Sequence, residues 1–394
     1  MNNRPVPRDG KPSICFVSPN NYAVLSGRSD LDHIGGTEIQ QPMIGCELLR
    51  RGYPVSFITL DHGQPDGIMH NGLRVFKMCR SNEGVPGLRF FHPRWTSLCA
   101  AMARADADVY YQMNNGAETG QVALWCRRNT RVFIFAVSSD SNCQAAVPGL
   151  QTRRERVLYR WGLRCADAVI VQTQTQQRML ADEMSVPSVL IRSCSVDPYA
   201  ACNDLPTQSN HKLKRVLWIG RFVEVKRLEL LLDVAAALPD VSFDIVGNGK
   251  RGSPYCENLL ARVQSLSNVT LRGRVPHSEI GRFYEHASLL VCTSHYEGYP
   301  NTFMEAWARG IPTVTTVDPD HIIQTHRVGL VASHATELSA AVRRLLDDHG
   351  EEWHACARRA RKLHLEHHTI ESTTNAYVAL LDKLCISHNG RPGP

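Results

Sequence analysis

Short runs rich in β-branched and aromatic residues alternate with amphipathic stretches along almost the whole chain, and this alternation stops once and then restarts. Ser13–Pro19, Pro54–Leu60, Leu73–Cys79, Val109–Gln112, Arg131–Val137 and Ala168–Thr173 read as strands, with helices such as Thr37–Arg51 and Gly116–Arg128 between them. Such alternation makes neighbouring strands parallel and lays helices on both faces of the sheet. The rhythm breaks at VDPYAACNDLPTQSN, Val196–Asn210, a polar and aperiodic stretch that reads as a linker. It resumes with strands at Arg215–Ile219, Ser242–Val246, Asn268–Leu271, Leu289–Cys292 and Pro312–Thr316. Helices are expected at Val225–Leu238, Tyr255–Leu266, Ser278–His286, Asn301–Arg309 and along the tail from Glu351 to Ile386. The expected architecture is α/β, with two parallel-sheet domains facing each other across a cleft. Residues 1–198 form the first and 211–370 the second. A C-terminal helix and tail, 371–394, packs back on the first. In such sheets ligands bind at the carboxyl ends of strands.

Composition removes other classes. At 394 residues with 43% hydrophobic and 21% charged, the chain is neither disordered nor a disulfide miniprotein. Thirteen scattered cysteines contain no C-x-x-C pair, so they read as reduced, mostly buried thiols. Apolar runs such as Val132–Val137 are far short of the roughly 20 residues that span a bilayer, and the N-terminus lacks a charged-then-apolar leader. From these features a cytoplasmic chain is expected. Residues 1–200 hold 22 Lys and Arg against 17 Asp and Glu, most of the net charge of +6. An anionic partner is favoured there. No aromatic-interleaved basic stripe supports nucleic-acid binding.

Three segments carry candidate chemistry. Gly35-Gly36-Thr37-Glu38 opens a helix, where close backbone approach, free N–H groups and the helix dipole suit a phosphate; a tight turn also accounts for the glycines. Gly220-Arg221 follows a strand, with Lys226 beyond it, a cation pair able to neutralise a diphosphate without a metal. The third is EGYPNTFME, Glu297 to Glu305. It offers two carboxylates able to accept hydroxyls of a sugar or ribose, with the N–H groups of a helix start between them.

Together these segments resemble family 4 of the glycosyltransferases, whose fold is GT-B, two Rossmann-like domains. EGYPNTFMEAWARGIPTV is similar to that family's donor-site signature, IGRFVEVK to its Arg and Lys pair, and GGTEIQ to its glycine turn. The resemblance covers about residues 14–385. It implies a retaining, metal-independent hexosyltransferase that moves a sugar from a nucleotide-diphosphate donor, UDP- or GDP-linked, to an acceptor hydroxyl. No cofactor is implied. The acceptor would be a glycan, a lipid-linked molecule or a small molecule. Arg221 and Lys226 would neutralise the diphosphate, Glu297 would bind the transferred sugar and Glu305 the ribose. Gly35, Gly36 and Gly220 would lie against the phosphates. Backbone groups of Tyr299, Pro300, Asn301 and Thr302 would contact sugar and phosphate, and Val275 the nucleobase. Many members place a histidine where this chain has Ser138-Ser139-Asp140, and Asp140 is the candidate for its place. The alternative is a non-catalytic sugar-nucleotide-binding protein of the same fold.

Other patterns read as structure. Gly247–Gly252 matches G-x-G-x-x-G but lacks the downstream acid of a dinucleotide site, and reads as a turn beside the same cleft. Asp30/Asp32, Asp106/Asp108 and Asp318/Asp320 match D-x-D on loops, without a metal site. Histidines 354, 364, 367 and 368 read as a solvated helix face. Arg153–Arg164, RRERVLYRWGLR, reads as a basic helix burying Val157, Leu158 and Trp161, with peripheral contact to anionic lipid as its functional reading.

Overall fold

Val132–Ala136 is an unbroken apolar run with all five residues buried, the mark of a strand covered on both faces. The computed structural model describes residues 10–28, 35–113, 115–200, 214–250, 252–347 and 350–389, with side chains to residue 385. They divide into two units: Met1–Ser193 joined by Ile370–Pro394, and Cys194–Thr369.

The first unit contains β1 (Ile14–Val17), β2 (Val55–Thr59), β3 (Ile68–His70), β4 (Leu73–Lys77), β5 (Val109–Met113), β6 (Val132–Ala136), β7 (Ala168–Val171) and β8 (Val189–Leu190). Their order is β3-β4-β2-β1-β5-β6-β7-β8. All pairings are parallel except β3–β4. The helices are α1 (Tyr22–Ser26), α2 (Gly36–Arg50), α3 (Thr96–Ala105), α4 (Glu118–Arg128), α5 (Arg153–Cys165) and α6 (Gln174–Met179).

The second unit contains β9 (Arg215–Ile219), β10 (Ser242–Val246), β11 (Val269–Gly273), β12 (Leu289–Cys292), β13 (Thr313–Thr315) and β14 (Gly329–Val331). They form one parallel sheet in the order β11-β10-β9-β12-β13-β14. Its helices are α7 (Leu228–Ala237), α8 (Pro254–Gln264), α9 (His277–Glu285), α10 (Asn301–Trp307), α11 (Ile322–His326), α12 (Ala335–Asp347) and α13 (Glu351–His367). Alternate residues of each strand feed two cores. Val216, Trp218, Phe243 and Val291 join α7 and α12 on one face. Leu217, Val246, Leu290 and Cys292 join α10 on the other. The last helix, α14 (Ile370–Asn389), belongs to the first unit. There the Arg51 guanidinium donates to Asn375 Oδ1 at 2.6 Å, and the Tyr111 and Tyr377 hydroxyls meet at 3.1 Å.

The strands expected from sequence form within two residues of their expected ends, and three more short ones appear. β3 is the antiparallel arm of a hairpin through Asn71-Gly72, at φ 50° and 82°, the turn chemistry that Asn-Gly favours. β8 and β14 are two- and three-residue edge strands, too short to show a pattern. The expected helix Val225–Leu238 is divided. Arg227 stands at φ 44° between a 3-10 turn, Glu224–Lys226, and α7. The tail is divided at His368-Thr369, where Ser195 bridges to Thr369 and its N–H donates to the His368 carbonyl at 3.0 Å. These bonds, and the Arg361 fork on Asp197 at 2.7 and 2.9 Å, join residues 194–200 to the second unit. Most of the expected linker, residues 201–210, lies outside the described residues.

Candidate functional site

In the second unit Gly220, Arg221 and Lys226 follow the carboxyl end of β9, and Glu297 follows that of β12. Beyond β9, the Gly220 N–H donates to the Val246 carbonyl at 3.0 Å, and Phe222 N–H to Asn248 at 2.9 Å. This places the chain against Gly247, whose φ is 143° and whose Cβ, if present, would lie 1.8 Å from the Gly220 oxygen. A Cβ on Gly249 would lie 2.8 Å from Phe222. Gly247 thus allows two backbones to touch beside Arg221. Arg221 itself is exposed, and its guanidinium has no acceptor among the described residues.

Five residues on, the Lys226 ammonium is ion-paired with Glu297 Oε1, which also accepts from Ser294 Oγ at 2.5 Å. The two segments are zipped together. His295 N–H donates to the Val225 carbonyl at 2.7 Å, and Thr293 Oγ1 donates to Lys226 O at 2.7 Å while accepting from Trp218 Nε1 at 3.0 Å. Arg227 Nε donates to Thr293 O at 2.8 Å. This clamp holds Arg227 in the left-handed region, where a non-glycine residue needs such support.

α10 buries Phe303, Met304, Ala306 and Trp307, which leaves Asn301, Thr302 and Glu305 as its polar side. Glu305 is held from α9: His277 Nε2 lies 2.9 Å from Oε1, and the Tyr284 hydroxyl donates to Oε2 at 2.7 Å. Burial pushes the Tyr284 hydroxyl well above its ordinary pKa, so it remains a donor. Arg309 donates to the Glu305 carbonyl at 2.9 Å, with its guanidinium 5.0 Å from the Tyr284 ring centroid. Each carboxylate oxygen keeps accepting capacity. Tyr299 is buried and its hydroxyl meets His368 Nε2 at 2.8 Å, so only its backbone faces outward chemistry. Pro300 caps α10, and Val275 is half-buried against the core beside it.

In the first unit, Gly35 is the residue before α2, and its N–H donates to Glu38 Oε2 at 2.9 Å. Thr37 Oγ1 donates to the same oxygen at 2.9 Å. Gly36 begins the helix, so the chain's own carboxylate lies where an anion was expected. Asp140 opens a 3-10 turn and its Oδ1 accepts from Gln176 Nε2 at 3.0 Å. Asn142 Oδ1 gathers the Ser138 N–H, Ser138 hydroxyl and Ser139 N–H at 3.1, 2.7 and 3.2 Å.

Sequence reasoning missed His277, Tyr284, Arg227, Thr293 and Ser294. His277 stands two residues from Val275, and Arg227 follows Lys226, so adjacency was the available signal. Two readings need correction. His364 and His368 are fully buried, not solvated. His364 Nε2 meets Ser195 Oγ at 3.0 Å, and burial pushes its pKa down to about 4. In α5 the buried residues are Tyr159, Gly162 and Leu163, whereas Val157 is exposed, because Gly162 and Gly120 let α5 cross α4 closely on that side. Among the D-x-D strings, Asp106 and Asp108 pair with Arg131, and Asp318 accepts from the Ile323 N–H at 2.7 Å. Asp30 and Asp32 lie outside the described residues.

Comparison with known proteins identifies the fold and the family. The fold is GT-B. A sucrose-phosphate synthase from Thermosynechococcus elongatus superposes with a TM-score of 0.78 at 19% identity, covering 96% of this chain and 100% of that one. HepE of Anabaena in complex with UDP-glucose superposes with a TM-score of 0.73 at 16% identity, covering 94% and 100%. The family model for glycosyl transferases group 1 matches residues 213–348, and that for a glycosyl transferase 4-like domain matches 35–193. The amylovoran biosynthesis glycosyltransferase AmsD of Erwinia amylovora is 22% identical over 300 residues, 74% of this chain and 80% of that protein. The chain belongs to the GT4-type glycosyltransferases and is a glycosyltransferase enzyme.

Proposed function

We propose that the enzyme is a retaining, metal-independent glycosyltransferase taking its sugar from a nucleoside diphosphate, UDP- or GDP-linked, and placing it on an acceptor hydroxyl. The observation that carries this reading is the unpaired Arg221 beside the Lys226–Glu297 pair, at the strand ends of the group 1 unit. When the bond from sugar C1 to the phosphate oxygen breaks, its electron pair leaves on the diphosphate. Arg221 and Lys226 meet that growing charge, which is the work a metal performs elsewhere. The acceptor oxygen bonds C1 on the face the phosphate left, and its proton passes to the departing phosphate oxygen. No protein nucleophile and no cofactor are needed.

Glu297, freed from Lys226 by the incoming phosphate, holds hydroxyls of the sugar. Glu305, oriented by His277 and Tyr284, takes the ribose. Gly220 and the backbone of Tyr299 to Thr302 line the phosphates, and Val275 lies at the base. In the first unit Gly35 and Gly36 can take a phosphate only once Glu38 leaves the start of α2, and Asp140 serves the acceptor side. HepE was crystallised with UDP-glucose, which supports a UDP donor. AmsD is named for the biosynthesis of amylovoran, which supports a glycan or lipid-linked acceptor. We place the reaction in the cytoplasm at a membrane surface; no described helix is long and apolar enough to cross a membrane.

A thermal-shift screen over UDP-, GDP- and ADP-sugars tests the donor, because ligand at about 100 times its Kd stabilises by about 2.7 kcal/mol. The same donors are then assayed for transfer with product anomers resolved by NMR. Product of inverted configuration, or no response to any nucleotide sugar, would overturn the reading.

A further inference from the structure

Residues 81–89 are all exposed, and among them Val85 and Leu88 are each 65% exposed, followed by Phe91 at 53%. Several large apolar side chains facing water on one surface mark contact with something apolar. This segment is tied to α5. The Arg154 guanidinium lies 3.7 Å from the Phe90 ring centroid, and Phe90 meets Phe91 at 4.9 Å and Trp95 at 5.9 Å.

α5 turns one side inward. A Cβ on Gly162 would lie 2.7 Å from the Thr119 backbone, and Tyr159 and Leu163 are buried. Helical spacing then puts Arg153, Val157, Arg160 and Arg164 on one outward stripe, with Val157 59% exposed. Arg89, Arg153, Arg154, Arg160 and Arg164 have no carboxylate partner among the described residues. Elsewhere in the same unit Arg104 and Arg131 are each held by aspartate. The neighbouring carboxylates Glu83 and Glu155 are turned onto the backbone N–H groups of Arg80 and Thr152.

We propose that this surface, residues 85–91 with the outward stripe of α5, docks the enzyme on an anionic lipid bilayer. Unpaired guanidinium groups complement lipid phosphates, while Val85, Leu88, Phe91 and Val157 enter the interfacial layer beneath them. Arginine stems can lie along apolar surface with their heads among the phosphates. A second copy meeting this face on itself would bring arginines against arginines, which disfavours a symmetric dimer there. The proposal deepens the functional reading, on which it rests only in taking the acceptor to be a lipid-linked hydroxyl at that surface.

The test is co-sedimentation of the full chain with vesicles of phosphatidylglycerol and phosphatidylcholine, against vesicles of phosphatidylcholine alone. No nucleotide sugar is present, so the result stands whether or not the donor chemistry is right. Binding is expected to the anionic vesicles only, weakening as salt rises. Leu88→Asp with Phe91→Asp should lower the partition coefficient about tenfold or more, since both apolar anchors are lost. Arg153→Glu with Arg160→Glu should do the same by charge alone, while Leu365→Asp, an exposed apolar residue of the second unit, should change nothing. Failure to bind anionic vesicles, equal binding to neutral ones, or wild-type binding by both double variants would overturn the proposal. So would a dimer in ultracentrifugation that Leu88→Asp with Phe91→Asp dissolves while vesicle binding persists.

Discussion

Lys226 and Glu297, 71 residues apart in the chain, are ion-paired, and Ser294 donates to the same carboxylate oxygen. On the proposed reading, the free enzyme keeps the cation meant for the phosphate and the carboxylate meant for the sugar on each other. A donor diphosphate must take Lys226 from Glu297, which releases the carboxylate for the sugar. Glu297→Gln should leave free UDP or GDP bound at least as tightly as in wild type, since those ligands carry no sugar and no longer compete with a carboxylate for Lys226, and lower kcat about a hundredfold. Titration calorimetry beside steady-state kinetics checks both. A large loss of diphosphate affinity would show that Glu297 serves the nucleotide.

Glu305 should behave in the opposite way. Its carboxylate is oriented by His277 and Tyr284, and a hydrogen bond to a charged group is worth about 1.5–3 kcal/mol. Glu305→Ala should weaken free diphosphate binding by about ten- to hundredfold. Tyr284→Phe removes one orienting donor and should show a smaller loss of the same kind. Equal calorimetric losses in the Glu297 and Glu305 variants would refute the division of roles.

Arg221 is exposed and unpaired, so its removal leaves nothing stranded. Arg221→Ala should change stability by no more than about 0.5 kcal/mol. It should lower kcat/KM about a hundredfold, because the contact strengthens as the phosphate leaves. Normal kinetics would make Arg221 a surface cation only.

Transfer should survive EDTA. Arg221 and Lys226 supply the two positive charges, and Asp106, Asp108 and Asp318 of the D-x-D strings are engaged by Arg131 or by backbone N–H groups. Complete loss of turnover on chelation, restored by manganese, would show that a metal carries the diphosphate.

Stability should depend on pH through His364. Burial depresses its pKa from 6.5 to about 4, and Asp197, Arg361 and Arg309 are the charges acting on it. The folded form keeps the ring neutral while the unfolded chain takes up a proton. The contribution is therefore complete above pH 6.5 and is lost as pH falls toward 4. Near pH 5 the loss is about 2 kcal/mol. Asp197 adds loss in the same direction: burial raises its pKa, but the Arg361 fork outweighs this and holds it low. Denaturant melts of wild type and His364→Gln across this range should converge as pH drops, and parallel curves would refute the assignment.

Much of the fold was legible because buried parallel strands advertise themselves. β6 and β7 are apolar throughout, and no other element accommodates such runs between amphipathic helices. The split of the helix at Arg227 was not legible, since Val225–Leu238 is a good helix former in isolation. The break exists because Thr293 and Ser294, far along the chain, accept from the Arg227 guanidinium. The burial of His364 and His368 was hidden for the same reason. A histidine on a charged helix reads as solvated until Ser195 and Tyr299 are placed against it.

By itself the sequence determined the two parallel-sheet units, the motif residues Arg221, Lys226, Glu297 and Glu305, and the family they resemble. Those properties are written in short windows of residue type and spacing, which local periodicity and motif chemistry can read. Only the tertiary structure decided which groups hold which. It paired Lys226 with Glu297, set His277 and Tyr284 on Glu305, turned Glu38 onto the start of α2, and left Arg221, Arg153, Arg160 and Arg164 without a carboxylate partner among the described residues. A side chain's partners depend on strands and helices brought together from distant parts of the chain, and that proximity is absent from any local stretch of sequence.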